Sequence, residues 1–257
     1  MTSKHDLIGK VVLIGGGAKN LGGLISRTFA KDGAKIIVHY NSHISKKDAE
    51  ATVAEIKKNG GEAFEIQGDF TKANEVTKVF AEGKNKFGRI DIAINTVGKV
   101  LKKPIVEVTE EEYESMADIN GKAAYFFLKE AGKHLSDNGK ICTIVTSLLS
   151  AYTPYYSSYA GTKAPVEHFT RAASFEFGQR GISVTAVGPG PMDTPFFYGQ
   201  ETKDAVEYHK SAPALAKFSK TGLTDIEDIV PLIKFLVTDG WWITGQTILA
   251  NGGYTAR

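Results

Sequence analysis

The chain has 257 residues, 42% hydrophobic and 23% charged, with a formal net charge of +2. That length and composition suit one large globular domain with a sizeable core, and they exclude a disordered chain. The lysines are spread rather than gathered in a block, which excludes a nucleic-acid footprint, and no run approaches the ~18 apolar residues of a membrane span. The N-terminal MTSKHDLIGK lacks the apolar centre of a signal peptide, so a cytoplasmic protein is expected. The lone cysteine, Cys142, lies in an apolar run without a disulfide partner and reads as a buried strand residue; no metal is expected.

Lys10 to Ile14 (KVVLI) reads as a buried strand that enters Gly15-Gly16-Gly17-Ala18-Lys19-Asn20-Leu21-Gly22-Gly23. Leu24, Ile25, Phe29 and Ala30 then recur at helical spacing. In such a strand, turn and helix the glycines let backbone approach a pyrophosphate, and the helix N-terminus offers unpaired N–H groups. A plain left-handed turn is the other reading, but placement in the first βα unit favours the dinucleotide. The next strand, Lys35 to Tyr40, ends in His39-Tyr40-Asn41-Ser42-His43 with no carboxylate for the adenine ribose hydroxyls of NAD. Lys19, Asn41, Ser42 and Lys46 can instead meet a 2′-phosphate, so NADP(H) is expected over NAD(H). Lys46 and Lys47 are alternatively the solvated start of a helix running to Lys58.

Glu62 to Gln67 makes a third strand before Gly68-Asp69-Phe70. Asp69 either reaches the adenine or caps the following helix, with Thr71 as a rival cap. A helix from Lys72 to Phe87 leads to a strand from Ile90 to Ile94 and the turn Asn95-Thr96-Val97-Gly98. Thr109-Glu-Glu-Glu opens a long helix with an N-cap and early negative charge, and this helix carries Asp118-Ile119-Asn120. The strand Lys140 to Val145 then delivers Thr146 and Ser147 at its C-terminal end, where open α/β sheets place their ligands.

Tyr159 and Lys163 are four residues apart, which on a helix stacks an ammonium beside a phenol. The cation is expected to draw the phenol down from about 10 toward a useful acid/base range. Ser147, twelve residues before Tyr159, can hydrogen-bond a carbonyl oxygen, with Thr146 as its competitor by one residue. No motif positions a histidine to make Ser147 a covalent nucleophile. Tyr152, Tyr155 and Tyr156 have no lysine four residues on and read as pocket wall or packing. Pro165 removes a backbone donor, which predicts a kink that tilts Lys163 relative to Tyr159. Beyond a packing face of Val166, Phe169, Ala172, Ala173 and Phe177, the strand Ile182 to Val187 enters the rigid loop Gly188 to Thr194. Phe196, Phe197 and Tyr198 open a polar, irregular segment at about 195–222, before a helix near Asp225 and a last strand through Leu249.

The glycine-rich turn, the Ser147, Tyr159 and Lys163 set and the alternating elements together resemble the short-chain dehydrogenase/reductase family over nearly the whole chain. The resemblance implies a single α/β domain over residues 1–257, a Rossmann-type doubly wound fold on a mostly parallel sheet of about seven strands. It implies an NADP(H)-dependent oxidoreductase interconverting a ketone or aldehyde and an alcohol, of the carbonyl reductase or 3-oxoacyl reductase kind. In it Tyr159 is the general acid/base, Lys163 tunes it and grips the ribose, Ser147 polarises the oxygen, and Asn120 completes a proton relay. Cofactor contacts are implied for Gly16, Ala18, Lys19, Asn20 and Leu21 in the first turn, and for Asn41 and Ser42 after the second strand. Further contacts are implied for Asp69, Phe70, Asn95, Val97, Gly98, Tyr159 and Lys163, and for Pro189, Gly190, Met192 and Thr194. A substrate lid at about 195–222 and a homotetramer or homodimer complete the expectation. An aromatic lid suggests a bulky or apolar carbonyl substrate.

The chain departs from the family in places. Against Thr-Gly-x-x-x-Gly-x-Gly, Gly15 replaces the threonine, whose hydroxyl would tie the loop down, and Asn20 replaces the second glycine, where asparagine tolerates positive φ. Asn95-Thr96-Val97-Gly98 keeps only the ends of Asn-Asn-Ala-Gly, and Asn251 stands where aspartate is common. The altered glycine loop, Asn251 and Pro165 support one other reading, a non-catalytic dinucleotide-binding module, against which the intact Ser147, Tyr159 and Lys163 set argues; a second alternative is an epimerase or dehydratase on the same scaffold, which a cofactor unchanged over net turnover would distinguish.

Overall fold

In the computed structural model, which describes residues 5–256, seven strands form one sheet. They are β1 (Val11–Gly15), β2 (Lys35–Tyr40), β3 (Glu62–Gln67), β4 (Ile92–Asn95), β5 (Lys140–Ile144), β6 (Ser183–Pro189) and β7 (Thr247–Ala250). Their order is β3-β2-β1-β4-β5-β6-β7, and every pairing is parallel. Between them run α1 (Asn20–Lys31), α2 (His43–Lys58), α3 (Ala73–Phe87), α4 (Glu110–Met116), α5 (Ala123–His134), α6 (Ser157–Lys163) and α7 (Pro165–Glu176). Then come α8 (Pro195–Tyr198), α9 (Lys203–Ser211) and α10 (Ile226–Leu236).

All residues of β1, β4, β5 and β6 are buried, because helices cover both faces of a parallel sheet. Side chains alternate across a strand, so β1 feeds two cores. Val12 and Ile14 pack with Ile25, Phe29, Val38 and Ile233 beneath α1, α2 and α10. Val11 and Leu13 pack with Val79, Phe80, Phe127 and Ala173 beneath α3, α5 and α7. Cys142 belongs to the first core, and burial pushes its thiol up to about 12, leaving it inert. No helix among the described residues is long and apolar enough to cross a membrane.

The strand order reverses at β1, whose neighbours are β2 and β4, and the crevice of a doubly wound sheet opens beyond their C-terminal ends. Gly15 and Asn95 are partners across that line, so the first glycine turn and the turn after β4 face each other.

Three expectations about local structure change. The helix capped by Thr109, through its reciprocal bonds with Glu112, is not uniform: Ala117–Lys122 is π-helical between α4 and α5. Pro165 does interrupt the hydrogen-bond ladder, but Ala164 keeps helical dihedrals (φ −57°, ψ −41°). Tyr159 and Lys163 both lie upstream, within α6, so the interruption does not separate them. The segment after Thr194 is largely helical rather than irregular, since Thr202 caps α9 by accepting from the Ala205 amide at 3.3 Å.

Two glycines separate close approach from mere flexibility. A Cβ on Gly22 would lie 2.2 Å from the Gly16 carbonyl oxygen, whereas one on exposed Gly161, in α6, would meet nothing within 4 Å. Gly22→Ala is therefore expected to lose about 1–3 kcal/mol and Gly161→Ala to gain roughly 0.5–1 kcal/mol, read from urea unfolding. Equal effects of the two substitutions would remove the close-packing argument for the turn.

Candidate active site

The glycine turn is shaped by contact rather than by composition. Gly16 has φ +75° and Asn20 φ +48°, so asparagine takes up the left-handed conformation at the second glycine's place. The N-terminus of α1 has no side-chain cap and no acidic residue in its first turn, which leaves its N–H groups for an anion. The hydroxyl lost at Gly15 is replaced from elsewhere. Thr96 Oγ1 donates to the Gly15 carbonyl at 2.8 Å, and Ser26 Oγ donates to that of Gly17 at 2.9 Å.

His39 completes this anchoring. Its Nδ1 accepts from the Gly16 amide at 3.0 Å, so Nε2 carries the hydrogen and donates to the Gly68 carbonyl at 2.7 Å. The ring stacks on Phe70 with centroids 3.7 Å apart. Burial pushes it from 6.5 down to about 4, against the Gly68 bond and the Asp69 charge, so it stays neutral. Sequence reasoning passed over His39 and Thr96; the available signal was the missing hydroxyl at Gly15, which demanded a substitute.

A cleft of about 860 Å³ runs from this turn to the end of β5. Gly16, Ala18, Lys19, Asn20 and Leu21 line one end, with Asn41, Asp69 and Phe70; Val97, Gly98, Tyr159, Lys163, Met192 and Thr194 line the other. Pro189 and Gly190 line the smaller pocket beside it. Two expected cofactor residues stand apart from both linings. Ser42 is the cap residue of α2, its amide facing Ser45 Oγ at 3.5 Å, and Ser45 takes its place on the wall. Asn95 is buried, its Oδ1 accepting from the Val97 amide at 3.0 Å, and it shapes the turn.

At the end nearer the glycine turn Lys19 pairs with Asp48 at 2.9 Å, both well exposed, so the pair is readily exchanged for another anion. Lys46 pairs with Glu50 along α2. Asp69 is not the cap of α3; its Oδ1 takes the Thr71 amide and hydroxyl in a local turn. Burial opposes its ionisation, but the bonds from Thr71 and Lys72 outweigh that and hold the carboxyl below its ordinary value.

At the far end Lys163 is buried, its ammonium donating to the carbonyls of Ile144 at 2.9 Å and Val97 at 3.3 Å. Burial pushes it down to about 8. Tyr159 does not follow the expected direction: burial pushes its phenol up to about 12, with a hydrogen bond to Thr146 acting the other way. Lys163 is spent on carbonyls, and desolvation governs the phenol. Thr146 Oγ1 also accepts from the Leu148 amide at 3.2 Å, capping a 3₁₀ turn. Both Thr146 and Ser147 line the small pocket, but only Ser147 Oγ is buried without a partner, which separates it from Thr146.

Asn120 lies in the π-helical segment, fully buried. Its amide bonds both the N–H and the carbonyl of Lys99 and donates to Thr162 Oγ1 at 3.3 Å in α6. A Cβ on Gly98 would lie 3.0 Å from Lys163 Nζ and 3.2 Å from Asn120 Oδ1, so both groups converge on that glycine.

The small pocket, of about 80 Å³, opens over Tyr159 and Ser147 and is walled by Val100, Leu148, Tyr156, Phe196 and Phe197. Of the loop tyrosines only Tyr156 reaches it; Tyr152 and Tyr155 are exposed, Tyr155 at φ +71°.

The comparisons with known proteins agree with this geometry. A family model described as enoyl-(acyl carrier protein) reductase matches residues 16–255. A hydroxynaphthalene reductase-like protein of Metarhizium brunneum is 36% identical over 97% of this chain and 96% of its own. A short-chain dehydrogenase/reductase of Pestalotiopsis microspora is 33% identical over 96% of each. Among solved structures, a Burkholderia cenocepacia protein described as a dehydrogenase, with bound NADP, is 65% identical. It superposes with a TM-score of 0.97 over 100% of this chain and 97% of that one. A metagenomic blue fluorescent protein in complex with NADPH is 30% identical, with a TM-score of 0.90 over 98% of this chain and all of that one.

His39 gives the site a measurable response to acid. Its native value lies below its unfolded value, so the neutral ring stabilises the fold above about 6.5, and that contribution is lost as pH falls from 6.5 to about 4. Across this window the protein is expected to lose about 3 kcal/mol more than its His39→Gln variant in urea unfolding. Parallel pH profiles for the two would show that another group senses the acid.

Proposed function

The chain belongs to the short-chain dehydrogenase/reductase family, and we propose that it is an NADPH-dependent carbonyl reductase acting on a ketone or aldehyde in the pocket over Ser147 and Tyr159. The observation that carries this is the unpartnered, buried Ser147 hydroxyl beside a phenol held in its protonated form. A carbonyl oxygen placed there accepts from Ser147, and Tyr159 is the acid that protonates it as negative charge develops. The nucleotide, when bound, supplies the hydride. Hydride at carbon and a phenolic proton at oxygen together convert the carbonyl to an alcohol.

The chain's own groups fit that nucleotide. The glycine turn and the uncapped end of α1 suit a pyrophosphate, and Lys19, Asn41 and Ser45 suit a 2′-phosphate where no carboxylate follows β2. Lys163 has three N–H donors, of which two go to Ile144 and Val97, leaving one for the ribose. Asn120 fixes α6 against Lys99 and serves as the relay's buried end. In this reading residues 1–257 are one cytoplasmic domain with 195–222 as its lid. The exposed Tyr125, Phe175 and Trp242 suit contacts with further copies in a homodimer or homotetramer.

The test follows NADPH and NADH absorbance against aliphatic, bicyclic aromatic and β-keto carbonyl compounds. Turnover is expected with NADPH preferred. Tyr159→Phe should lower kcat/KM by about 10²–10⁴ and Ser147→Ala by about 10²–10³, with NADPH binding by fluorescence retained in both. Undiminished turnover in Tyr159→Phe overturns the proton-transfer role, and a preference for NADH overturns the cofactor assignment.

A further inference from the structure

The small pocket has a second polar end. Glu201, between α8 and α9, has a side chain with 0% exposure. Its Oε2 is ion-paired with Lys102 from the loop after β4, while its Oε1 is buried with no hydrogen-bond partner. Glu201 and His209 line the same pocket as Ser147 and Tyr159. Among the described residues, buried polar atoms are otherwise mostly satisfied, and a carboxylate oxygen left without a donor is unfavourable.

His209 faces that oxygen. Its Nε2 lies 3.9 Å from Glu201 Oε1, beyond hydrogen-bond reach, and its Nδ1 lies 3.2 Å from the Tyr254 hydroxyl. Burial raises the Tyr254 phenol, which keeps its hydrogen, and we assign that hydrogen to the contact with Nδ1. Burial also lowers His209, with Glu201 opposing and Lys102 assisting; with Tyr254 as donor to Nδ1, the neutral ring carries its hydrogen on Nε2. The result is a donor and an acceptor side by side, too far apart to satisfy each other.

We propose that Glu201 and His209 form a subsite for a substrate hydroxyl, so that the preferred substrates are ketones carrying a hydroxyl group at the far end of an apolar framework. A hydroxyl oxygen between the two groups accepts from Nε2–H and donates to Oε1, using both at once. An ammonium lacks the acceptor, and Lys102 already neutralises the carboxylate; a second carbonyl lacks the donor. Phe197, edge-on to His209 at 5.5 Å, with Phe196 and Leu148, supplies the apolar wall between the ends. The inference rests on the carbonyl-reductase reading only for the position of the ketone, at Ser147.

The experiment compares α-tetralone with its ring-hydroxylated derivatives, by calorimetric binding to the protein–NADP⁺ complex and by kcat/KM with NADPH. At least one hydroxytetralone is expected to bind about 10- to 100-fold more tightly than α-tetralone, the range for a hydrogen bond to a charged group. Glu201→Gln and His209→Phe should each cut that ratio by about tenfold or more. The first is isosteric and the second keeps the ring against Phe197; thermal unfolding of each identifies a misfolded variant, leaving the other to decide. No hydroxytetralone binding more tightly than its parent, or an unchanged ratio in a folded variant, overturns the subsite. Failure of the reductase reading looks different: no NADPH is consumed with any ketone, while the binding ratio remains readable.

Discussion

The buried ammonium of Lys163 is the interaction on which the rest of the site depends. A charge taken out of water costs several kcal/mol unless its hydrogens are satisfied, and here the carbonyls of Ile144 and Val97 satisfy two of them. Ile144 ends β5 and Val97 lies in the turn after β4, so one side chain pins α6 to the exits of two neighbouring strands. With α6 fixed, Tyr159 stands one turn earlier on the same face, over the Ser147 that β5 delivers. The same constraint favours Gly98, where a Cβ would crowd the ammonium at 3.0 Å. Burial then works in opposite directions on the two groups: it lowers Lys163 to about 8 and raises Tyr159 to about 12. Proximity alone therefore does not acidify the phenol; what the lysine contributes first is position.

The cofactor turn shows a function carried by different residues. The backbone geometry survives because Asn20 accepts the left-handed conformation and because Gly22 leaves room for the Gly16 carbonyl. The tie lost at Gly15 is rebuilt from the next two strands across the sheet, by His39 from β2 and Thr96 after β4. His39 makes this tie dependent on its protonation state, since an imidazolium cannot accept from the Gly16 amide. The departures in the glycine turn thus prove to be exchanges of one anchor for another, and Pro165 lies downstream of both Tyr159 and Lys163.

Much of the fold was legible because it rests on short-range rules. Continuous apolar runs fit strands covered on both faces, and β2 and β3 fall at the expected residues because both are bounded by turn signals. The order of motifs along the chain placed Ser147, Tyr159, Lys163 and Asn120 near one another, as the structure does. What was not legible depends on contacts between distant segments. The π-helical turn that buries Asn120 has no signature in ADINGK itself; it follows from packing against Lys99 and Thr162. Ser42 looked like a phosphate ligand by position, but a serine ahead of a helix serves equally as its cap. The phenol's direction depended on burial, which spacing does not report.

The same reasoning explains why Glu201 escapes a reading of the sequence while Ser147 does not. Ser147 follows a strand whose end is fixed by the sheet, so its place is set locally. Glu201 is buried by Lys102, 99 residues earlier, and faces His209 on a helix whose own pattern is polar. A glutamate in such a segment reads as solvated until the fold closes over it. Once closed, it differs from the partly exposed Asp32, whose unpartnered Oδ2 has the Lys234 ammonium 2.9 Å away. Glu201, which lines the pocket, has its lysine counter-ion on Oε2 only, and its Oε1 is left without a hydrogen-bond partner. A fold that spends a lysine to bury a carboxylate beside an apolar reaction site, and leaves one oxygen unpaired, has built selectivity at the expense of stability.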